Sequence, residues 1–239
     1  MLPSSRDFAQ RSDPAALLEW MDQPCSYAEF RACLLDLAKV NKLLLAPKPL
    51  LRWLQALHPT SDAPLHLVDV GCGGGDLLRH VADWARSRSL PVQLTGIDMN
   101  PMATRAAAEF STNYPEIRWI TGRAEEMLQH ERIDVVTSTL CTHHMQNAEI
   151  VPLLRWMEAT ARRGWFISDL RRSRVNYVLF TLLARIAHWH PFVQHDGPVS
   201  IQRSFRASDW KQLCAAAQVK RFTLNRAFAG RLCVSSLHE

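Results

Sequence analysis

The sequence predicts an α/β chain built on a doubly wound sheet of about seven strands, mostly parallel with an antiparallel edge, and carrying a helical cap at its N-terminus. Three observations predict it. Short apolar strands alternate with helical-period segments from Leu65 to Asp169. A glycine-rich turn joins the first strand to the helix behind it. Two final strands are separated by only a few residues, a spacing that suits a hairpin and therefore an antiparallel pair.

Composition bounds the reading. At roughly 150 residues per domain, 239 residues make one large domain or one domain with an appendage. Hydrophobic residues at 47% and charged residues at 21% are ordinary for a globular chain, which excludes disorder, collagen-like repeats and coiled coil. The formal charge of +5 makes a polyanion partner worth testing. Its densest patch, Arg162, Arg163, Arg171, Arg172 and Arg174, is interrupted by the strand-like run Trp165 to Ile167, so these charges read as the flanks of a buried strand and nucleic acid is disfavoured as a partner. Cys25, Cys33, Cys72, Cys141, Cys214 and Cys233 include no closely spaced pair of the kind zinc or redox motifs use, which fits reduced thiols in the cytoplasm. Met1 to Asp22 interleaves Arg6, Asp7, Arg11 and Asp13 with polar residues and lacks the apolar core of a signal peptide. The longest apolar run, Val175 to Ala187, contains Arg185 and falls short of the ~20 residues of a membrane span, so it reads as a buried or lid helix.

Taken in order, Ala15 to Met21, Tyr27 to Leu37 and Leu43 to Leu57 show helical spacing, separated by breaks at Pro24, Pro47, Pro49 and Pro59. Residues 1–60 are therefore the cap and 61–239 the sheet domain. Leu65 to Val70 is the first strand and empties into Gly71 to Gly75; a helix follows with Leu77, Leu78, Val81 and Trp84, then a strand from Val92 to Ile97 ending at Asp98. Asn100 caps the next helix and Pro101 opens it, since the N–H that proline lacks would be unpaired there anyway. Strands follow at Ile117 to Thr121, Ile133 to Thr139 and Gly164 to Asp169, with a helix before the last bearing Val151, Leu154 and Met157. Beyond them the pattern predicts a long helix to about Trp189, a loop through Pro191, His195, Asp196, Gly197 and Pro198, a helix from Ser208 to Ala217, and strands near 221–224 and 232–235. The stretch near 171–207 interrupts the alternation and reads as a substrate cover.

Glycines at a strand-to-helix turn let a ligand approach the backbone, and the helix N-terminus beyond favours negative charge. A dinucleotide fingerprint wants a third glycine where Asp76 stands, which counts against a nicotinamide-dependent oxidoreductase, and no Gly-Lys-Ser/Thr follows to make a P-loop. What remains is Leu67-Val68-Asp69-Val70-Gly71-Cys72-Gly73-Gly74-Gly75, paired with Gly96-Ile97-Asp98-Met99-Asn100 at the end of the second strand. This pairing resembles the class I S-adenosylmethionine (SAM) methyltransferases, which have a Rossmann-like fold. The resemblance implies SAM as cofactor and S-adenosylhomocysteine as product. It implies that Gly71, Cys72 and Gly73 line the cofactor, that Asp69 supports the loop, that Asp98 accepts from the ribose hydroxyls and that Met99 lies against the adenine, with Thr139 at the end of the fourth strand. Arg123 stands where the family often has an adenine-contacting acid, which leaves the backbone around Ala124, or Glu125, for that contact.

The fourth strand runs into Cys141-Thr142-His143-His144-Met145 on the edge where open α/β sheets bind ligands. No Asn/Asp-Pro-Pro-aromatic motif of base-amine methylation follows it. The double His instead resembles small-molecule methyltransferases of the ubiquinone/menaquinone type and relatives acting on aromatic polyketides. Either His143 or His144, with a slight preference for His144, is the candidate base for a phenol or enol, because an imidazole titrates close to neutral pH. The expected reaction is in-line transfer of a methyl group to an oxygen of a small aromatic or polyketide-like acceptor. Carbon methylation of a quinone-type precursor and an RNA-directed or regulatory SAM-binding module are the alternatives. His188, His190 and His195 lack ligand spacing, so no metal is expected.

Overall fold

A computed structural model describes residues 8–59 and 63–238. The cap-to-sheet boundary at 60/61, and Arg6 and Asp7, lie outside the described residues. The strands are β1 (Leu65–Val70), β2 (Val92–Asp98), β3 (Ile117–Thr121), β4 (Val135–Thr139), β5 (Gly164–Leu170), β6 (Thr223–Ala227) and β7 (Arg231–Leu237). They form one seven-stranded sheet in the order β3-β2-β1-β4-β5-β7-β6. The first five strands pair in parallel, and β7 is antiparallel to both β5 and β6. The order reverses between β1 and β4, and that switch opens a crevice at the strands' C-terminal ends.

Helices cover both faces: α1 (Tyr27–Leu43), α2 (Lys48–Ala56), α3 (Asp76–Arg86), α4 (Pro101–Phe110), α5 (Ala124–Met127), α6 (Asn147–Thr160), α7 (Arg174–Ile186), α8 (Pro191–Arg203) and α9 (Ala207–Ala217). Val68, Val136 and Ile167 pack with α6 and α9 on one face, while Leu67, Val135 and Phe166 pack with α2 and α3 on the other. A strand buried on both faces needs such apolar residues in both registers. Asn100 caps α4 by accepting from the Met102 N–H at 2.9 Å.

Three expectations are corrected. The segment 15–21 is not a helix: Asp13 closes a turn by accepting from Ala15, and the N–H groups of Trp20 and Met21 go to the Asp196 carboxylate at 2.7 and 3.1 Å, leaving only a 3₁₀ turn at Trp20–Asp22. The segment 43–57 divides, with α1 running through Leu43 and α2 beginning at Lys48, where Pro47 caps and Pro49 fits the first turn. The expected loop through Pro191, His195, Asp196, Gly197 and Pro198 is the helix α8; Pro191 opens it, and at Gly197 the Phe180 ring of α7 occupies the space a Cβ would need. Glycine there serves helix packing and does not break the chain. Of the two expectations for the apolar run 175–187, a buried helix or a lid helix, the first does not hold, since in α7 only Ala184 is buried. Among the described residues no helix is long and apolar enough to cross a membrane.

Candidate functional site

Parallel register sets Asp69 opposite Gly96 and Val70 opposite Ile97, so β1 and β2 deliver the glycine turn and Asp98 to one sheet edge. Gly71 and Gly73 have φ of +72° and +52°, a region that costs glycine nothing. A Cβ on Gly71 would collide with the Cys141 side chain, whereas beside Gly73 only Leu34 Cδ2 lies near, at 4.0 Å. The turn therefore leaves an open notch lined by backbone. Asp98 ties it to β2: its two carboxylate oxygens accept from the Gly73 N–H at 3.0 Å and the Asn100 N–H at 2.9 Å. A carboxylate has roughly four acceptor sites, so Asp98 keeps capacity for further donors. Burial pushes its carboxyl up, against those two backbone bonds.

The notch belongs to a cavity of about 460 Å³ that Gly71, Cys72, Gly73, Asp98, Met99, Ala124, Glu125, Thr139, His143 and His144 all line. Asp69 does not line it. It is buried beneath the turn with Oδ1 unpartnered, and burial, with the charges of Asp76 and Asp98, pushes its carboxyl well up. The Thr139 hydroxyl also lacks a partner. Cys72 is held far from thiolate character by burial, so it fills space and is no nucleophile. Arg123 stands 3.8 and 3.7 Å from Glu125 and Glu126. A larger hollow, about 850 Å³ between α2 and β6–β7, is lined by none of these residues.

At the cavity's other end a 3₁₀ turn, Thr142–His144, presents the two histidines. Asp169 at the end of β5 organises the turn, accepting from His143 Nδ1 at 2.7 Å, from the His143 N–H at 2.9 Å and from the Thr142 hydroxyl at 2.5 Å. Burial works to raise the Asp169 carboxyl, but the His143 charge and these bonds outweigh it and hold it at about 2. The ionised Asp169 selects the Nδ1–H tautomer of His143 and leaves Nε2 as its free nitrogen. That nitrogen faces Glu19 at 3.7 Å, beyond hydrogen-bond reach. Burial pushes the Glu19 carboxyl up to about 7 in spite of His144 and Arg203.

His144 is less settled. Asp22 at 3.1 Å asks its Nδ1 to donate while Arg203 at 3.2 Å asks it to accept, and one nitrogen cannot do both in one protonation state. Burial works to raise Asp22, yet His144 and Arg203 hold it below the ordinary carboxylate range. Glu19, His143 and His144 bring ligand atoms within 4.8 Å of one another, the spacing a metal site could use. The Arg203 guanidinium, 3.3 Å from Glu19 and 2.9 Å from Asp22, already supplies positive charge there.

A family of proteins described as a methyltransferase domain matches residues 67–164. That segment is similar to a methyltransferase domain, and the sheet it belongs to has the Rossmann-like methyltransferase fold. No curated protein matches the sequence. Among solved structures, human N-acetylserotonin methyltransferase in complex with SAM superposes with a TM-score of 0.61 at 15% identity, covering 89% of this chain and 56% of that one. Magnesium protoporphyrin IX methyltransferase from Synechocystis with bound S-adenosylhomocysteine gives 0.53 at 14% identity, covering 82% and 83%. The chain also resembles the CMeT domain of citrinin polyketide synthase, with a TM-score of 0.56 at 12% identity; the match covers 75% of this chain and 48% of that one.

Sequence reasoning missed Glu19, Asp22, Asp169, Arg203 and Arg11. Arg11 braces the histidine turn, donating to the carbonyls of Thr142, His143 and Met145 at 3.3, 3.2 and 2.6 Å. Burial lowers its guanidinium to about 10. A signal was present for Asp169, an acid at the exit of an apolar strand next to the histidine-bearing one; the others lie on turns and helices far away in sequence. In the expected cover, His195 stacks on Trp20 at 4.1 Å and Asp196 holds the N-terminal segment, while His190 caps α8. The arginines 162–174 form no single surface: Arg162 and Arg163 flank one end of β5, and at the other end Arg172 is buried against Asp209 and the Ser204 and Phe8 carbonyls.

Proposed function

We propose that this chain transfers a methyl group from SAM to an oxygen of a small aromatic or polyketide-like acceptor. One observation carries the reading: a single cavity joins the Gly73 notch to the buried His143–Asp169 pair, between apolar walls that include Phe30, Leu34, Leu37, Phe180 and Phe192. Concave, mostly apolar sites with a few convergent polar groups suit flat organic acceptors. The neighbours that act on N-acetylserotonin and magnesium protoporphyrin IX support a small-molecule acceptor. Six free thiols fit a reducing cytoplasm.

The residues present fit the cofactor. Gly71 and Gly73 offer backbone without side chains, Asp98 keeps acceptor sites for hydroxyl donors, and the Thr139 hydroxyl, unpartnered among the described residues, is open to a ligand atom. Ala124 and Glu125 wall the adenine side, beside the exposed Met99. When bound, SAM supplies a methyl group on a positively charged sulfur, which makes the reaction an in-line displacement. The chain's own part is alignment and proton removal. Alignment alone is worth on the order of 7–11 kcal/mol in well-oriented models. His143 takes the acceptor's hydroxyl proton at Nε2, and Asp169, ionised and bonded to Nδ1–H, stabilises the imidazolium that results. Glu19, whose carboxyl is pushed up to about 7 by burial, lies 3.7 Å from Nε2, and in its ionised form it adds to the stabilisation of the imidazolium. The geometry favours His143 over His144 as the base, because only His143 has a single defined partner at Nδ1.

Radiolabelled methyl transfer to a panel of phenols and enols tests the reading. Label on oxygen, lost in His143→Ala and retained in large part in His144→Ala, is the expected result. Label arriving only on carbon would move the activity to the quinone-type alternative.

A further inference from the structure

β7 begins at Arg231, paired with Leu170 of β5 and Ala227 of β6. Side chains alternate along a strand, and Leu67, Val135, Phe166 and Cys233 share one cluster, so Asp69, Thr139 and Arg231 lie on that same face of the sheet. All three hold buried polar atoms without a partner among the described residues: Asp69 Oδ1, Thr139 Oγ1, and both Nε and Nη1 of Arg231. Arg231 is only 2% exposed, yet it lines the cavity. Asp169 and Asp76 attract its charge from a distance, but among the described residues no carboxylate comes within ion-pair range of it.

A guanidinium is a rigid fork of five donors, and burying one without an anion is costly. The cavity's other cations are accounted for differently. Arg203, beside the cavity, is held by Asp22 and Glu19, and Arg123 is half exposed near Glu125 and Glu126. What Arg231 lacks is an acceptor with two oxygens in one plane.

We propose that Arg231 binds a carboxylate of the ligand that occupies the cavity. A carboxylate fits better than a phosphate, because the charges of Asp76 and Asp169 already act at this position and a doubly charged anion would be repelled more strongly. Two ligands can bring that chemistry, the amino-acid end of SAM and an acid group on the acceptor. The inference rests on the reading above in placing both ligands in one cavity. It adds either the anchor of the cofactor's amino-acid end or the acidity of the acceptor.

Calorimetric titration of the full chain and of Arg231→Met separates the sources. The ligands are S-adenosylhomocysteine, its decarboxylated analogue, hydroxybenzoates and the matching phenols. If the cofactor supplies the carboxylate, Arg231→Met loses at least tenfold in S-adenosylhomocysteine affinity and stays within twofold for the decarboxylated analogue. If the acceptor supplies it, the loss falls on hydroxybenzoates and spares both phenols and S-adenosylhomocysteine. Ligand-free Arg231→Met melts no lower than wild type, because it removes an unpaired buried charge, whereas a residue that merely held the fold would lower the melting temperature on removal. Unchanged affinity for both carboxylate ligands, or equal loss for each acid and its neutral counterpart, overturns the proposal. Wild-type binding of S-adenosylhomocysteine alongside that result would leave the methyltransferase reading standing. Failure of the wild type to bind any of these ligands would end both.

Discussion

The glycine end and the histidine end of the cavity are built in different ways. At the glycine end, the backbone of the notch and the Asp98 carboxylate that ties it come from one stretch, Asp69 to Asn100, in which a strand, a turn, a helix and a second strand fold back on each other, with only the Leu34 and Cys141 side chains packing on it from elsewhere. The histidine end draws Arg11, Glu19 and Asp22 from an irregular N-terminal segment, His143 and His144 from the turn after β4, Asp169 from β5 and Arg203 from α8. One end is a local motif held by backbone geometry, and the other is a charge network that exists only once the whole chain has folded. The first should tolerate little change in backbone and the second little change in charge.

The sharpest way to test that contrast is to alter the charge network while leaving its shape. Asp169→Asn removes the charge that fixes the His143 tautomer and stabilises its imidazolium, and turnover should fall by about 10²–10⁴-fold, the usual worth of a positioned base. Calorimetry should show S-adenosylhomocysteine affinity within twofold of wild type, since the glycine end is untouched. A comparable loss in affinity would mean that the two ends are not separable. Next in size is a backbone change at the other end. Gly71→Ala places a Cβ in left-handed backbone, for roughly 1–2 kcal/mol of strain, against the Cys141 side chain, for about 1–3 kcal/mol more. A melt of this variant should show the destabilisation, and cofactor affinity should be lost with it.

Smaller in effect, Asp98→Asn keeps the shape but loses charge-assisted bonds worth about 1.5–3 kcal/mol. Titration should record S-adenosylhomocysteine binding weakened by about 10–100-fold, and unchanged affinity would remove the ribose assignment. The smallest effect concerns pH. Because the folded-state pKa of Glu19 is raised to about 7, its contribution to stability is present below the ordinary carboxyl value of 4.5 and is lost as pH rises through about 7. Glu19→Gln lacks that loss, so urea unfolding should find the gap between variant and wild type moving in the variant's favour from pH 5 to pH 8.

The same contrast explains what the amino-acid sequence discloses. Gly71, Gly73 and Asp98 are legible because their chemistry depends on neighbours a few residues away, and the strand periodicity alone is enough to place them on one sheet edge. The parallel sheet and its reversed β7 are legible for the same reason, through short connections and a tight hairpin. Glu19 is not, since the apolar pattern of 15–21 suggests a helix and gives no hint that Asp196 captures the Trp20 and Met21 N–H groups. α8 is hidden by Gly197 and Pro198, which look like breakers although Phe180 packs on the glycine. Arg231 carries no local mark at all, because its meaning lies in the absence of a partner for Nε and Nη1 among the described residues.

The central claim is that one cavity takes SAM at its glycine end, and calorimetric titration of the purified chain with S-adenosylhomocysteine, with NADH as the comparison, tests it most directly. Micromolar binding of S-adenosylhomocysteine with no heat from NADH is the predicted result. Binding of NADH alone, or of neither ligand, would contradict it.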